Sequence, residues 1–262
     1  MDLLIATLVL RPYVFAFVAL FLVAGALDLG WRRTLLFAAW VWPVAWLAEF
    51  SSTRTGFPFG LYHYTGTTRG VEMYLADVPL MDSLSFTFLA YASFCLARLG
   101  LSGRDRPTST PALALLTGVL MMLLDVVVDP LAVRGDRWFL GRIFYYPAGG
   151  AYFGVPLSNF VGWMIVGAIG AGGFLYLGGI RAVGEAGAPA VRDGASGRIG
   201  RRWWPGVALY YAVLAFNLAV TGWIGEWVLL AIGVTLHASL ALLLWCVRRW
   251  PGVALGLESQ SA

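Results

Sequence analysis

The chain has 262 residues, of which 60% are hydrophobic and only 12% are charged, and its mean hydropathy is +0.76. These values exclude an ordinary soluble domain and are typical of a protein with several membrane spans. The net charge of +4 comes entirely from arginine, because the chain contains no lysine. Most arginines fall in predicted loops, so the charge reports membrane topology rather than a nucleic-acid partner.

Seven apolar runs are long enough to cross about 30 Å of hydrocarbon, which predicts an all-α membrane bundle with one domain over residues 1–262. The first run can start on either side of Arg11, and no cleavage site follows it, so we expect it to be retained. Residues 184–202 are predicted to form a flexible cytoplasmic connector, and residues 251–262 a tail. The seven runs cover residues 3–26, 34–50, 82–101, 112–133, 155–180, 205–222 and 226–247.

The arginines are distributed unequally between the two predicted sides of the membrane. One side holds twelve of them: Arg32, Arg33, Arg98, Arg104, Arg106, Arg181, Arg192, Arg198, Arg201, Arg202, Arg248 and Arg249. The other side holds Arg54, Arg69, Arg134, Arg137 and Arg142, joined by Arg11 if the first span starts late. The positive-inside rule therefore predicts an external N-terminus and a cytoplasmic C-terminus in the inner or plasma membrane. Loops 51–81 and 134–156 would then lie together on the non-cytoplasmic side.

Asp125 and Asp129 lie in the fourth predicted span, within the stretch Leu123–Trp163 that runs into a loop rich in glycine and tyrosine. Residues four apart share one helix face, about 6 Å apart along the axis, and Pro130 then favours the end of the helix. Acidic groups inside a span are costly, so they often mark a pathway or a reaction site. The alternative is a structural pair that hydrogen-bonds to neighbouring helices.

Glu49 ends the second predicted span and is followed by an aromatic, turn-rich loop, EFSSTRTGFPFGLYHYTG. Glycine and proline fix turns there, while residues such as Phe59, Tyr62 and Tyr64 supply rings. Any single ring could simply belong to the aromatic belt of the membrane interface. The density of rings near the acids favours a site.

Other polar and small residues in the spans are predicted to be mainly structural. Gly167 belongs to a small-residue pattern that lets helices approach closely. Asn217 and His237 are weak candidates for positioning water, since a lone polar residue in a span is more often a structural hydrogen-bonding group. Cys95 and Cys246 fall in apolar segments and form neither a disulfide nor a metal framework.

Carboxyl groups are the remaining candidates for chemistry. The two histidines cannot build a three-histidine zinc site, and without lysine there is no Schiff-base nucleophile. A carboxyl buried among apolar groups tends to stay protonated and can act as an acid, while a better solvated carboxylate can act as a base. Aromatic faces would stabilise a carbocation, so protonation of an alkene is feasible without a metal or cofactor. The acids that could meet at the outer end are Glu49, Asp77, Asp82, Asp125, Asp129 and Glu226.

Four motifs resemble those of the CruF-type carotenoid hydratase family over most of the chain. They are EFSSTRTGFPFGLYHYTG, DVPLMDSLSF, LLDVVVDPLA and YFGVPLSNFVGW. The resemblance implies a cofactor-independent lyase of carotenoid biosynthesis that adds water across the terminal carbon–carbon double bond of a linear end group, giving a tertiary hydroxyl. The segment MDSLSF departs from a more apolar version in other branches, which leaves the choice between monocyclic and acyclic carotene substrates open.

Carried onto this sequence, the resemblance implies Glu49, Asp125 and Asp129 as catalytic residues, with Asp125 and Glu49 as the acid–base pair. A carotenoid in the bilayer is the expected partner, with its reacting end at the interface. The residues expected to orient water or shape the end-group pocket are Phe59, Tyr62, Tyr64, Asp82, Tyr145, Tyr146, Tyr152, Asn159 and Trp163.

Two other functions remain open from the sequence. In a prenyltransferase, Asp125 and Asp129 would hold Mg²⁺ while Arg134, Arg137 and Arg142 bind a diphosphate. No second aspartate-rich motif accompanies them. In a transporter or a pigment-binding scaffold, the acids would form a proton relay.

Overall fold

The computed structural model describes residues 2–102, 109–178 and 203–249 of the chain. Within these ranges the protein is a bundle of eight α-helices, which confirms the all-α prediction. The predicted connector at 184–202 and the tail at 251–262 lie outside the described residues. The helices are α1 (Leu3–Leu10), α2 (Pro12–Asp28), α3 (Trp31–Thr55), α4 (Leu80–Leu101), α5 (Thr110–Ala132), α6 (Leu157–Tyr176), α7 (Trp204–Trp223) and α8 (Trp227–Arg249).

Six of these helices, α3 to α8, are long and apolar enough to cross a membrane, so the protein is a multi-pass membrane protein. The first predicted run, residues 3–26, is not one continuous helix, because α1 and α2 meet at an angle of 89°; the two helices count as a seventh span only if that span is broken. The break falls at Arg11, whose backbone is not helical, immediately before Pro12 at the first position of α2. A residue that precedes proline is sterically restricted from the helical conformation, which explains why the helix breaks here.

Helix α4 forms the centre of the bundle. Every residue from Phe86 to Gly100 is buried, as expected of a helix that is apolar on all sides. Helices α5 and α6 pack most closely, because Gly118 lies against the backbone of Met164 and Gly167 in turn contacts Gly118. This contact agrees with the close packing predicted from the small residues of α6.

Two loops meet over one end of the bundle. Strand β1 (His63–Tyr64) pairs with β4 (Phe144–Tyr145) in antiparallel register, His63 opposite Tyr145, and so joins the two loops that the sequence predicted to lie together. Strands β2 (Tyr74–Leu75) and β3 (Val78–Pro79) form a second antiparallel pair, and Gly135–Arg137 forms a single 3-10 turn. At this end α3 and α5 finish and α4 and α6 begin, which gathers their terminal side chains under the loops.

Candidate active site

A cavity of about 120 Å³ lies under the joined loops, with walls from α2 to α7. This volume is similar to that of engineered cavities of about 150 Å³ that bind benzene, so one small hydrocarbon group fits inside it. Nine residues that the sequence analysis selected line this cavity: Glu49, Phe59, Tyr62, Tyr64, Asp82, Asp129, Tyr146, Asn159 and Trp163.

Glu49 projects into the cavity wall from the last two turns of α3 and is buried. One of its oxygens accepts a hydrogen bond of 3.1 Å from the Tyr64 hydroxyl, while its other oxygen has no partner among the described residues. Burial, and then the neighbouring Glu49 charge, raises the pKa of Tyr64 well above its ordinary value. Tyr64 therefore stays a hydroxyl that can donate to Glu49.

Asp125 and Asp129 lie one turn apart near the end of α5 and share one donor. The Asn159 amide nitrogen donates to Oδ2 of Asp125 at 2.6 Å and to Oδ2 of Asp129 at 2.8 Å. Trp163 Nε1 donates to Asp129 at 3.3 Å. Asp129 lines the cavity, whereas Asp125 is fully buried behind it. The helix continues past Pro130 and ends at Ala132, close to the predicted end of this span at residue 133.

The third carboxyl of the cavity wall, Asp82, lies in the first turn of α4 and contacts a buried arginine. Arg11 Nη1 lies 3.0 Å from Asp82 Oδ1, and the same guanidinium binds both oxygens of Glu72 at 2.9 Å. Arg11 also donates to the Tyr13 hydroxyl at 3.2 Å. Neither Arg11 nor Glu72 was predicted to belong to the site, although a single arginine inside an apolar run is a signal for a buried partner.

Aromatic rings complete the wall between the carboxyls. Trp163 stacks on Phe86 with ring centroids 4.4 Å apart, and Phe59 lies 5.8 Å from Phe86. Burial raises the pKa of Tyr62 and of Tyr146 above the ordinary value, so both remain neutral hydroxyls. The site therefore combines three carboxyls with an aromatic surface and with neutral donors.

Comparison with known proteins places this arrangement in a family. The family model described as carotenoid biosynthesis protein matches residues 7–240. The chain belongs to this family. Bisanhydrobacterioruberin hydratase of Haloarcula japonica is 34% identical over 148 residues, which are 56% of this chain and 47% of the relative. The match thus spans about half of the relative's length, and no solved structure matches this chain.

The family assignment confirms the resemblance that the sequence motifs indicated.

In this carotenoid biosynthesis protein, two predicted pocket residues lie outside the cavity wall. Tyr145 packs against His63 with ring centroids 6.0 Å apart, and Tyr152 packs against Phe160 at 5.5 Å. The sequence placed both tyrosines in a loop, but it did not show that Tyr145 would pair opposite His63 in the β1–β4 ladder or that Tyr152 would form a bridge with Val155.

The two weak candidates differ in position. Asn217 lines the cavity, although its amide donates to the Val213 carbonyl one turn earlier in its own helix. His237 hydrogen-bonds to the Leu123 carbonyl at 3.1 Å and does not line the cavity. His237 therefore connects α8 to α5, as expected for a structural polar group.

The remaining acids of the sequence analysis form ion pairs away from the cavity. Asp77 contacts Arg54 at 2.8 Å, and Glu226 contacts Arg137 at 2.5 Å and Arg134 at 3.3 Å. Two of the three arginines of the diphosphate alternative are thus paired. Among the described residues there is also no group of three His, Cys, Asp or Glu side chains placed to hold a metal ion. The ion pairs with Glu226 occupy two of the arginines that the prenyltransferase interpretation assigns to a diphosphate.

Proposed function

We propose that this carotenoid biosynthesis protein is a hydratase that adds water across the terminal carbon–carbon double bond of a linear carotenoid end group. The observation that carries the proposal is that Glu49, Asp82 and Asp129 line one cavity together with aromatic rings. The name of the Haloarcula japonica relative, a hydratase, supports the same reaction class.

The proposed reaction needs only proton transfers. A neutral carboxyl gives its proton to the penultimate carbon of the end group, and the double bond becomes a carbon–hydrogen bond and a tertiary cation. The oxygen of a water molecule then bonds to the cation, and a carboxylate accepts the proton that this water loses. One water is added, no electrons are transferred, and return of the proton through solvent regenerates the acid.

Glu49 is the carboxyl that we assign as the acid. Its only hydrogen-bonding partner in the described chain is the neutral Tyr64 hydroxyl, and no arginine there forms an ion pair with it. A carboxyl without a cation in an apolar wall favours its neutral form, which is the form that can donate a proton. The base is then one of the two other wall carboxyls, Asp82 or Asp129. Asp125, the partner expected from the sequence, lies behind Asp129 and supports it.

The aromatic wall gives the cation a place to form. The face of Trp163 or Phe86 attracts a positive charge within about 6 Å, an interaction worth about 2 kcal/mol when water is excluded. A cavity of about 120 Å³ holds one branched end group, so the rest of the polyene must extend out of it. A long apolar polyene is most stable in the hydrocarbon of a bilayer, so we propose a membrane-embedded acyclic or monocyclic carotene as the substrate.

The orientation in the membrane is part of the proposal. The excess of arginines on one predicted side supports a C-terminus in the cytoplasm, with the joined loops and the cavity under them on the outer side of the inner or plasma membrane. A reporter enzyme fused after Ala262 should be active in the cytoplasm. Activity of such a fusion only on the outer side would overturn this placement.

The reaction can be tested by expressing the chain in cells that make lycopene or a monocyclic carotene. Mass spectrometry of the extracted pigments should show the gain of one water per reacted end. The Glu49→Gln variant should lack this product, whereas Asp77→Asn, which removes a surface acid outside the cavity, should retain it. Pigments of unchanged mass in cells with folded wild-type protein would contradict the proposed function.

A further inference from the structure

Arg11 has an unusual position for a charged residue. It occupies the break between α1 and α2, its side chain is 1% exposed, and it contacts two carboxyls at once. Glu72 is 0% exposed and holds the guanidinium through two bonds of 2.9 Å, whereas the Asp82 side chain is 19% exposed and lines the cavity. The buried carboxyl thus fixes the arginine, and the arginine reaches the carboxyl that a substrate can approach.

The three wall carboxyls differ in the chemistry of their partners. Glu49 accepts from a neutral hydroxyl, and Asp129 accepts from a neutral amide and an indole. Among the described residues, Asp82 alone of these three forms an ion pair with an arginine. A neighbouring cation favours the charged form of a carboxyl, so Asp82 is the wall group best suited to be a carboxylate before reaction.

We propose that Asp82 is the base that takes the proton from the attacking water, and that Arg11, fixed by Glu72, is the positioning residue that holds this carboxylate toward the cavity. The inference rests on the proposed hydration and identifies the base of that reaction. When Asp82 accepts the proton, its negative charge is neutralised. Arg11 then still has Glu72 as its counter-ion, so the step does not leave the guanidinium unpaired.

Running the reaction in D₂O distinguishes loss of the base from loss of the acid. In the Asp82→Asn variant the acid still delivers a deuteron to the penultimate carbon, but the water is no longer deprotonated. The cation then returns to an alkene by giving a hydrogen from the same carbon, or from a terminal methyl, to the Glu49 carboxylate. The recovered carotenoid would be unhydrated but deuterated. We expect hydration to fall about 10²- to 10⁴-fold, with deuterium well above the level found with Glu49→Gln.

Each outcome of this experiment has a distinct meaning. Near-normal hydration by Asp82→Asn would overturn the assignment of the base. So would loss of hydration with no more deuterium in the carotenoid than Glu49→Gln gives. A wild-type protein that neither hydrates nor exchanges would instead contradict the proposed function. Asp82→Asn is expected to fold, because Glu72 still neutralises Arg11 in it.

A double variant tests the positioning role of Arg11. Arg11→Gln with Glu72→Gln removes the buried cation together with its fully buried counter-ion, so that Asp82, which borders the cavity, is the one group that loses its charged partner. We expect kcat to fall about tenfold or more while KM for the carotenoid stays unchanged, and Arg11→Lys to recover part of kcat. A wild-type kcat in the folded double variant would show a purely structural ion pair and overturn the role. The matched control is Asp28→Asn with Arg98→Gln, a buried pair outside the cavity, which should leave kcat unchanged.

Discussion

The two ends of helix α4 each carry a buried ion pair, but only one of them borders a cavity. At the C-terminal end, Arg98 contacts Asp28 at 2.6 Å, and the Tyr91 hydroxyl also donates to Asp28. At the N-terminal end, Asp82 contacts Arg11 and also lines the cavity. A buried ion pair is therefore a poor marker of function by itself. The N-terminal end differs in that its ion-paired carboxyl lines a cavity together with two carboxyls, Glu49 and Asp129, whose hydrogen-bond donors are neutral.

Glu49→Gln should give the largest effect at the cavity end. The amide keeps the shape of the side chain and can still accept the Tyr64 hydrogen bond, but it cannot transfer a proton. We expect the hydration rate to fall about 10²- to 10⁴-fold, with the melting temperature in detergent close to that of the wild type. The rate is measured from the hydrated product per folded protein. A near-normal rate in the folded variant would mean that another carboxyl donates the proton.

Asp28→Asn should give the opposite result at the other end of α4. It replaces the carboxylate that contacts Arg98 by a neutral amide in a buried position, and breaking a buried pair costs about 3–5 kcal/mol. We expect a clear loss of thermal stability with an unchanged rate per folded molecule. A loss of rate with wild-type stability would mean that the two ends of α4 are functionally coupled.

Asn159→Leu should give an intermediate effect on both properties. This change removes the one donor that Asp125 and Asp129 share, and buried carboxyl oxygens without a donor cost about 1–3 kcal/mol each. We expect lower stability in chemical unfolding and a rate that is about tenfold lower, because Asp129 would lose its orientation toward the cavity. Wild-type stability would show that water or another group replaces the amide.

The sequence predicted the helices from local patterns, and it also selected all three carboxyls of the cavity wall. Apolar runs predicted the spans, and the spacing of Asp125 and Asp129 predicted their common face, which Asn159 now bridges. The break at Arg11 was also readable, because an arginine directly before a proline interrupts a helix.

The missed features depend on contacts between distant parts of the chain. Glu72 meets Arg11 across 61 positions, and no local pattern specifies that pairing. The sequence also could not show whether Asp125 or Asp129 would line the cavity. Which of two residues on one helix face reaches a cavity is decided by how α6 packs against α5.

The smallest predicted effect concerns the donor to Glu49. Tyr64→Phe keeps the ring but removes the hydroxyl that lies 3.1 Å from Glu49, leaving this carboxyl without its one hydrogen-bonding partner in the described chain. A single neutral hydrogen bond contributes about 0.5–1.5 kcal/mol, so the rate should fall only about two- to tenfold. The matched control is Tyr145→Phe, on the strand that pairs with Tyr64's strand but outside the cavity, which should keep the wild-type rate. Equal losses in both variants would indicate that the loops, rather than the bond to Glu49, set the rate. A loss confined to Tyr64→Phe would assign the effect to the acid and strengthen the contrast between Glu49 and the arginine-bound Asp82.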